Sequence, residues 1–291
     1  MVGKRLHALI EALLVTFLWS TSYILIKIGL RELNPIAFAA YRYTLASIVL
    51  ITFTLTRYKI SRYLEIKQLL IFLVLGITGY FIAQGLQFFG LYYLPAITVT
   101  FILNMTPILV LILSIVFLRE KPIIMQFIGI IVVISGVIMF FSNSLFSLNE
   151  VLGVILTILS SIGWASYMVI SRYYLRNNKI DVFILTSYSM SFGSLLLLGT
   201  AFLSNNIIVP SIGVWSIIIW LSVINTALAF VLWNHALRIL RAYEQSILQN
   251  TMLIQITLLA YVFLGETLTL QRILGIIAVF IGTLIVQLLY K

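Results

Sequence analysis

Ten long apolar runs occupy almost all of this 291-residue chain, with short polar or Pro/Gly-containing breaks between them. The runs lie at about 8–28, 35–56, 68–90, 96–118, 123–142, 151–171, 182–204, 213–235, 244–264 and 271–290. Each is about as long as a helix must be to cross roughly 30 Å of hydrocarbon, and none alternates as the strands of a membrane barrel do. With 62% hydrophobic and 9% charged residues, the chain is too apolar for a soluble domain. The sequence therefore predicts an all-α polytopic membrane protein with ten transmembrane helices.

The basic residues indicate how these helices are oriented. If the N-terminus is cytoplasmic, 14 of the 18 Lys and Arg residues lie on the inner side, which is a strong positive-inside pattern. We therefore expect a multi-pass protein of the cell (plasma) membrane with both termini cytoplasmic. The net charge of +10 then faces anionic lipid, and the basic loops lack the interleaved aromatic residues of a nucleic-acid site. The first run is too long for a signal peptide and lacks a small-residue cleavage site, so we interpret it as a retained first helix.

The chain is also internally doubled. Residues 90–140 and 236–286 agree without a gap at 15 of 51 positions, at an offset of 146. The informative matches are polar or glycine residues that share one spacing, namely the pairs Asn104/Asn250, Glu120/Glu266, Gly129/Gly275 and Gly136/Gly282. We predict two repeats of five helices, residues 1–145 and 146–291. An odd number of spans inverts the second repeat in the membrane, and such proteins commonly bind substrate near the midplane, between the halves.

Several motifs resemble the EamA-type repeat of the drug/metabolite transporter superfamily. In the first copy they are Leu94-Pro95-Ala96, Asn104-Met105-Thr106-Pro107 and Phe117-Leu118-Arg119-Glu120-Lys121-Pro122, and in the second copy Gly265-Glu266-Thr267-Leu268-Thr269. Trp19 to Tyr23, Lys27 and Arg42 are also similar to family positions. The second copy departs from the first at Leu253, which stands in the place of Pro107. The resemblance implies a ten-helix secondary carrier, typically an exporter of amino acids or related metabolites.

Polar and aromatic residues inside the spans are the candidates for a substrate site, because a charge at the bilayer centre costs at least ~2.5 to 3.5 kcal/mol. Arg42 lies roughly 10 Å below the outer face, and its guanidinium cannot be neutralised. It either binds a substrate carboxylate or forms a gating contact, or it is tied to helix-end carbonyls or to Glu32. The complete predicted substrate-binding set is Trp19, Tyr23, Arg42, Tyr80, Gln84, Gln87, Trp164, Tyr167, Asn225, Trp233 and Asn250.

Each of these residues has a structural alternative. Tyr80, Gln84 and Gln87 share one helical stripe, where they either contact substrate or hold helices together, as amides do in membranes. The mid-span Trp and Tyr residues occur on corresponding stripes of both repeats. They either fill the core or form a pocket for apolar or aromatic side chains.

Other residues have structural predictions of their own. We expect Asn104 to satisfy the backbone carbonyl that Pro107 leaves free, and Lys27 to extend toward the interface. Glu120 and Glu266 are expected to accept backbone N–H groups at the start of the fifth and tenth helices. The paired glycines are expected to let helices approach closely. Glu11 either binds a proton or pairs with a Lys or Arg of the inner face.

The sequence contains few features that would indicate an enzyme. It has no HExxH, GxSxG or Walker motif, and no cysteine for a disulfide or thiolate metal site, so we predict no catalytic residue, metal or cofactor. Without an ATP-binding segment, proton-coupled antiport and facilitated diffusion both fit. We expect a carrier that exports amino acids, aromatic or apolar ones among them, by alternating access. A channel-like facilitator, a carrier of nucleotide or sugar derivatives or of drugs, and, with less support, an intramembrane enzyme or scaffold are the alternatives. The protein is expected to be a monomer or a homodimer.

Overall fold

A computed structural model describes residues 2–57, 65–118, 124–142, 147–176 and 179–288, and all regular structure within these ranges is helical. The helices are α1 (Val2–Gly29), α2 (Pro35–Arg57), α3 (Ile66–Tyr93), α4 (Ala96–Leu103 and Thr106–Leu118), α5 (Ile124–Phe141), α6 (Leu148–Leu175), α7 (Val182–Leu203), α8 (Ile212–Ile239), α9 (Ala242–Leu264) and α10 (Leu270–Leu288). Each helix overlaps one of the predicted apolar runs. We call the end of the bundle at which α1 begins the N-terminal end, and the other the far end.

The helices fit a lipid environment. Eight of those in the described residues are long and apolar enough to cross a membrane, and α5 and α10 contain shorter apolar stretches, Phe127–Phe141 and Leu270–Ile285. Large apolar side chains such as Ile131, Leu195 and Phe263 are exposed on the outside of the bundle. Because such a surface is soluble only in hydrocarbon, the chain is a multi-pass membrane protein.

Short polar segments start and stop the helices. The side chain of Ser147 and that of Glu150 form a capping box at the start of α6, and Asp181 accepts a hydrogen bond from the Phe183 N–H (2.8 Å) at the start of α7. Gly265 ends α9 in the left-handed region (φ 68°), where glycine has no steric penalty. These caps satisfy backbone groups that cannot hydrogen-bond to lipid.

Two helices contain a π-helical segment at matching positions. The segments are Ile77–Ile82 in α3 and Val223–Leu228 in α8, which lie 146 residues apart, as the sequence repeats do. A π-helix widens the turn and displaces carbonyl groups from the usual ladder. The Asn225 carbonyl in α8 accepts a hydrogen bond from Trp19 Nε1 of α1 (3.1 Å). The Ala83 carbonyl at the end of the α3 segment accepts one from Ser160 Oγ of α6 (2.5 Å).

The paired glycines bring α5 and α10 into backbone contact, which confirms the predicted close packing. A Cβ added to Gly136 would lie 2.9 Å from the Gly275 oxygen, and one added to Gly282 would lie 2.8 Å from the Gly129 oxygen. Residue numbers therefore rise along one helix as they fall along the other, so the two helices run antiparallel. The two contacts are also equivalent, since each pairs an early glycine of one helix with a late glycine of the other.

The prediction for Asn104 was wrong in its partner. α4 is interrupted by a turn at Asn104 and Met105, and the Asn104 amide donates to the Thr100 carbonyl (2.9 Å). Pro107 has no N–H for the Leu103 carbonyl, and the Thr106 hydroxyl donates to that oxygen instead (2.5 Å). Side chains in a helix bond back to the carbonyl three or four residues earlier, so Asn104 reaches Thr100 whereas Thr106 reaches Leu103.

Glu266 accepts backbone N–H groups at the start of a helix, as predicted, but the helix is a different one. Its carboxylate accepts hydrogen bonds from the N–H groups of Ala96 (2.6 Å) and Ile97 (3.0 Å) at the start of α4, not of α10. The loop after α9 folds over the far end of the bundle, so the neighbouring helix start belongs to the other repeat. Glu120 lies outside the described residues. Lys27 does not simply extend outward, because its ammonium donates to the Leu94 carbonyl at the end of α3 (2.8 Å).

Candidate substrate site

A buried cavity lies in the middle of the bundle and is formed by helices from both halves of the chain. Its lining residues come from α1, α2, α3, α4, α6 and α9 and are Trp19, Ser22, Tyr23, Ile26, Arg42, Tyr43, Gln84, Gln87, Leu103, Ser160, Trp164, Gln249 and Met252. The volume open to water-sized molecules is about 40 Å³, which is room for a few waters. The cavity is thus narrow, polar on one part of its wall, and aromatic or aliphatic on the rest.

Among the described residues that line the cavity, Arg42 is the only one with a charged side chain, and it is 3% exposed. Its Nε donates to the Thr226 hydroxyl (2.7 Å), and its Nη2 lies 3.3 Å from the Asn225 carbonyl oxygen. The guanidinium carbon also lies 5.5 Å from the centre of the Tyr43 ring. These partners are all neutral. Since a guanidinium has five N–H donors, several remain for a molecule in the cavity.

The sequence offered Glu32 as an alternative partner for Arg42, and the structure excludes it. The Glu32 carboxylate accepts hydrogen bonds from the backbone N–H of Ser211 and from its hydroxyl (2.7 Å) at the start of α8. These two donors hold the pKa of Glu32 below its ordinary value. The other alternative, a tie to backbone carbonyls, is present in the contact with Asn225, although that carbonyl belongs to the π-helical segment and not to a helix end.

A cluster of aromatic rings from both halves of the chain includes two rings that line the cavity, Trp19 and Trp164. The Trp19 ring lies 5.6 Å from that of Trp164 and 4.8 Å from that of Trp233. The Trp164 ring stacks on Tyr167 at 5.2 Å, and Phe230 lies 5.2 Å from Trp19. Such edge and stacked contacts fix the rings in place. Trp19 and Trp164 thus form an apolar part of the cavity wall, and Tyr167, Phe230 and Trp233 pack behind it.

Amide and hydroxyl groups form the polar part of the wall. The Tyr43 hydroxyl donates to Gln84 Oε1 (2.8 Å), and Trp164 Nε1 donates to Gln249 Oε1 (2.9 Å). Both amide oxygens are thus engaged by the protein, which leaves the amide NH₂ groups as donors toward the cavity. Together with Arg42, these groups make the wall rich in hydrogen-bond donors, and no carboxylate of the described residues lines it.

Six of the eleven predicted binding residues line this cavity: Trp19, Tyr23, Arg42, Gln84, Gln87 and Trp164. Tyr80 and Tyr167 lie behind the wall in a hydrogen-bond network. Their hydroxyls are 3.1 Å apart, and Asn234 donates to the Tyr167 hydroxyl (2.7 Å) and the Thr186 hydroxyl (2.9 Å). All of these side chains are fully buried. The network joins α3, α6, α7 and α8.

The three remaining predicted residues lie outside the cavity lining. The Asn225 amide donates to the Leu18 carbonyl (2.5 Å) and to the Ser22 hydroxyl (3.0 Å), so it joins α8 to α1. Trp233 is fully buried, with its ring against that of Trp19. Asn250 is 1% exposed, and its amide nitrogen has no hydrogen-bond partner among the described residues.

The predicted substrate-binding set leaves out several residues that line the cavity, chiefly Tyr43, Gln249 and Met252. Tyr43 follows Arg42 directly, and neighbouring residues on a helix point about 100° apart, so its spacing gave no signal. Gln249 lies on α9, whose polar residues are spread around the helix circumference, so no polar stripe singled it out. Within the described residues, no group of three or more His, Cys, Asp or Glu side chains could hold a metal ion.

Comparison with known proteins agrees with this arrangement. The model of the EamA-like transporter family matches residues 6–142 and again residues 151–288. A protein of Archaeoglobus fulgidus named "Uncharacterized transporter" is 27% identical over 81% of this chain and 81% of its own. YyaM of Bacillus subtilis, also named an uncharacterized transporter, is 23% identical over 97% of this chain and 93% of its own.

A solved crystal structure with only 17% sequence identity superposes on the chain with a TM-score of 0.73, covering 97% of this chain and 98% of that one. At this identity the likeness shows a shared fold. The two family matches together cover nearly all of the chain, with the helices of the cavity divided between them. The chain therefore belongs to the EamA-like transporter family, whose members are membrane transporters of small molecules and not enzymes.

Proposed function

We propose that the ten helices all cross the membrane, as two inverted five-helix repeats, residues 1–145 and 146–291. The antiparallel contact of α5 with α10 supports this proposal, because corresponding helices of inverted repeats run in opposite directions. The π-helical segments of α3 and α8, 146 residues apart, support it too. The basic residues at the N-terminal end favour a plasma-membrane protein with that end and both termini in the cytoplasm.

Within this frame, the protein is a secondary carrier that exports amino acids or similar small amphiphiles with a carboxylate. The observation that carries this proposal is the buried Arg42 guanidinium, which faces the cavity and contacts only neutral groups. A buried cation without an anionic partner is costly. A substrate carboxylate would supply the missing charge and accept the free N–H groups in a bidentate pair.

The rest of the wall suits the other parts of such a molecule. An apolar or aromatic side chain fits against Trp19 and Trp164, whose rings lie 5.6 Å apart. Tyr23, Gln84 and Gln87 offer hydrogen bonds to polar groups. Tyr80, Tyr167, Asn225, Trp233 and Asn250 support this wall from behind or come into contact with substrate after a rearrangement. No member of the set acts as a catalyst.

The small size of the cavity supports alternating access. Ligand pockets for small molecules usually measure about 300–1,000 Å³, whereas the space here is about 40 Å³. A substrate can enter only if helices of the two halves move apart. The inverted repeats provide two nearly equivalent packings, one open to each side of the membrane.

The experiment is counterflow in liposomes with a panel of labelled amino acids. A carrier exchanges label for unlabelled substrate and shows saturation and trans-stimulation, while a channel-like facilitator shows neither. Arg42→Gln should abolish counterflow and leave insertion and thermal unfolding intact. Arg176→Gln, the same change at an exposed position at the end of α6, is the matched control and should transport normally. Transport by Arg42→Gln at the parental rate would refute the role of Arg42.

The panel also separates the remaining substrate classes. Nucleotide or sugar derivatives and drugs are tested in the same assay as competitors of amino-acid counterflow. If an uncharged drug competes and no carboxylate does, the amino-acid assignment is wrong although the carrier mechanism stands. Proton coupling is tested by imposing a pH gradient across the liposome membrane in the absence of other gradients.

A further inference from the structure

A row of three ionisable side chains connects α1 with α8 near the N-terminal end. Glu11 Oε2 lies 2.7 Å from Nδ1 of His235, and Nη2 of Arg238 lies 3.0 Å from Nε2 of the same ring. The side chain of Glu11 is 17% exposed and that of His235 is 34% exposed. The imidazole is thus held from both sides while one part of it stays within reach of water. None of these groups lines the cavity.

The partners of the ring determine its tautomer. An arginine N–H can only donate, so Nε2 of His235 accepts the hydrogen bond from Arg238 and carries no proton. The single ring proton is then on Nδ1 and is donated to the Glu11 carboxylate. In this arrangement the imidazole is neutral, and the charges of Glu11 and Arg238 balance.

The surrounding charges all lie at the N-terminal end. The charged and titratable groups at this end of the helices packed against the row are Lys4, Arg5 and His7 on α1, Arg172 and Arg176 at the end of α6, Lys179 and Asp181 at the start of α7, and Arg241 and Glu244 at the start of α9. Arg172 is held by the Leu237 and Arg238 carbonyls (2.7 Å each). Arg5 pairs with Glu244 (2.6 Å). These two contacts engage Arg172, Arg5 and Glu244, and Glu11 is the carboxylate that contacts the His235 ring (2.7 Å).

The row joins the two halves of the chain. α1 lies in the first family match and α8 in the second, and the Arg5–Glu244 pair joins α1 to α9 at the same end. Opening this end of the bundle requires α1 to leave α8 and α9. The strength of the Glu11–His235 contact therefore contributes to how readily the cavity opens here.

The far end has no equivalent row. At the repeat offset of 146, the counterpart of His235 is Phe89. The front parts of the repeats align less well, near an offset of 144 or 145, so the counterpart of Glu11 is Ile155 or Leu156. These counterparts are all apolar. Within the described residues, a glutamate–histidine contact thus joins the halves at the N-terminal end only, whereas at the far end the carboxylates of Glu266 and Glu32 accept hydrogen bonds from backbone N–H groups.

We propose that His235 is a proton-binding site that tightens the cytoplasmic closure of the carrier when the cytoplasm is acidic. A proton from water bonds to Nε2, which breaks the hydrogen bond from Arg238 and turns that guanidinium toward solvent. The Nδ1–H···carboxylate contact with Glu11 becomes an ion pair, which is stronger than a bond from a neutral donor. Opening toward the cytoplasm then slows as the pH falls. The inference uses the proposed orientation and does not depend on the substrate.

The tautomer is measured directly, because the chain has only two histidines. His7→Gln leaves His235 as the single imidazole, and ¹⁵N NMR of the histidine-labelled protein distinguishes protonated from unprotonated ring nitrogens. We expect the proton on Nδ1 at pH 8 and protons on both nitrogens at pH 5.5. An Nε2–H tautomer at pH 8, or an unchanged spectrum at pH 5.5, would overturn the proposal.

Opening is measured by thiol labelling, because the chain has no cysteine of its own. Met252→Cys places a thiol in the cavity wall, and an impermeant maleimide is added to the cytoplasmic face of inside-out vesicles. Lys4→Cys, exposed at the N-terminal end, corrects for the intrinsic pH dependence of the thiol. We expect the corrected labelling rate to fall about threefold or more from pH 8 to pH 5.5, the range in which histidine changes charge.

Substitutions in the row must shift this profile in opposite directions. Arg238→Gln removes the cation that opposes protonation, so the midpoint should move to higher pH. Glu11→Gln removes the anion that favours it, so the midpoint should move to lower pH, and His235→Gln should flatten the profile. A profile that rises on acidification, or that persists in His235→Gln, would refute the proposal. Labelling from the opposite face only would instead show that the proposed orientation is wrong.

Discussion

The contact between Glu266 and the start of α4 is the clearest link between the two halves at the far end. Its carboxylate accepts the N–H groups of Ala96 (2.6 Å) and Ile97 (3.0 Å). A hydrogen bond to a charged group contributes about 1.5–3 kcal/mol, and a neutral one about 0.5–1.5. Glu266→Gln keeps one neutral acceptor and turns an NH₂ group toward the second N–H. We therefore expect the closed arrangement to lose about 1.5 to 3 kcal/mol, the range for one hydrogen bond to a charged group.

This loss should appear as accessibility of the cavity from the far end. Ile26→Cys places a thiol in the cavity wall in a protein without other cysteines, and an impermeant maleimide is added to the outside of right-side-out vesicles. A difference of 1.4 kcal/mol is tenfold in an equilibrium, so Glu266→Gln should increase the labelling rate by roughly ten- to hundredfold.

The matched control is Glu150→Gln. That carboxylate also accepts hydrogen bonds at the far end, from the N–H (2.9 Å) and hydroxyl (2.8 Å) of Ser147, but only within the start of its own helix. It should leave labelling unchanged. If Glu266→Gln labels no faster than Glu150→Gln while both proteins remain folded, the contact does not help to close the far end.

Three further predictions concern stability. Gly136→Ala should lower the free energy of unfolding by about 1–3 kcal/mol because its Cβ meets backbone, whereas Gly199→Ala, with open space around it, should be neutral or stabilising in thermal unfolding. Thr106→Val should cost about 1–3 kcal/mol by leaving a carbonyl unpaired, and adding Pro107→Leu, which restores an N–H donor, should recover most of the lost melting temperature. The lowered pKa of Glu32 means that its contribution to stability is present above its ordinary value of 4.5 and is lost as the pH falls through the lowered one. Thermal melts from pH 6 to 3 should show this loss in the parent protein but not in Glu32→Gln, and equal pH dependence of the two would contradict it.

The family resemblance and the helix positions were readable in the sequence because hydrophobicity and spacing encode them locally. Every described helix overlaps a predicted apolar run, and the paired glycines pack as their spacing indicated. The π-helical segments were not predicted, although they occur at the repeat offset. A π-helix depends on which distant donors take up the displaced carbonyls, and no local pattern reports that.

The sequence predicted only part of the site. There is a physical reason why some predicted residues line the cavity and others do not. Arg42, Gln84 and Trp164 line the cavity because a buried charge, amide or indole N–H in a membrane needs partners in the interior. The same rule selected Asn225, which uses its amide to join α8 to α1 instead. Polarity within a span determines that a residue faces protein, and only the packing of the helices determines whether it faces the cavity or another helix.

The sequence by itself therefore determined that the protein lies in a membrane, where its helices are, and that the chain is internally duplicated. Each of these follows from the hydrophobicity, charge and spacing of residues close together in the chain. The tertiary structure alone decided which partners meet across large separations: Glu266 with the start of α4, Arg42 with Thr226, and Glu11 with His235. These contacts join residues more than 160 positions apart. Their hydrogen bonds depend on how the two halves pack, and that arrangement is a property of the whole bundle.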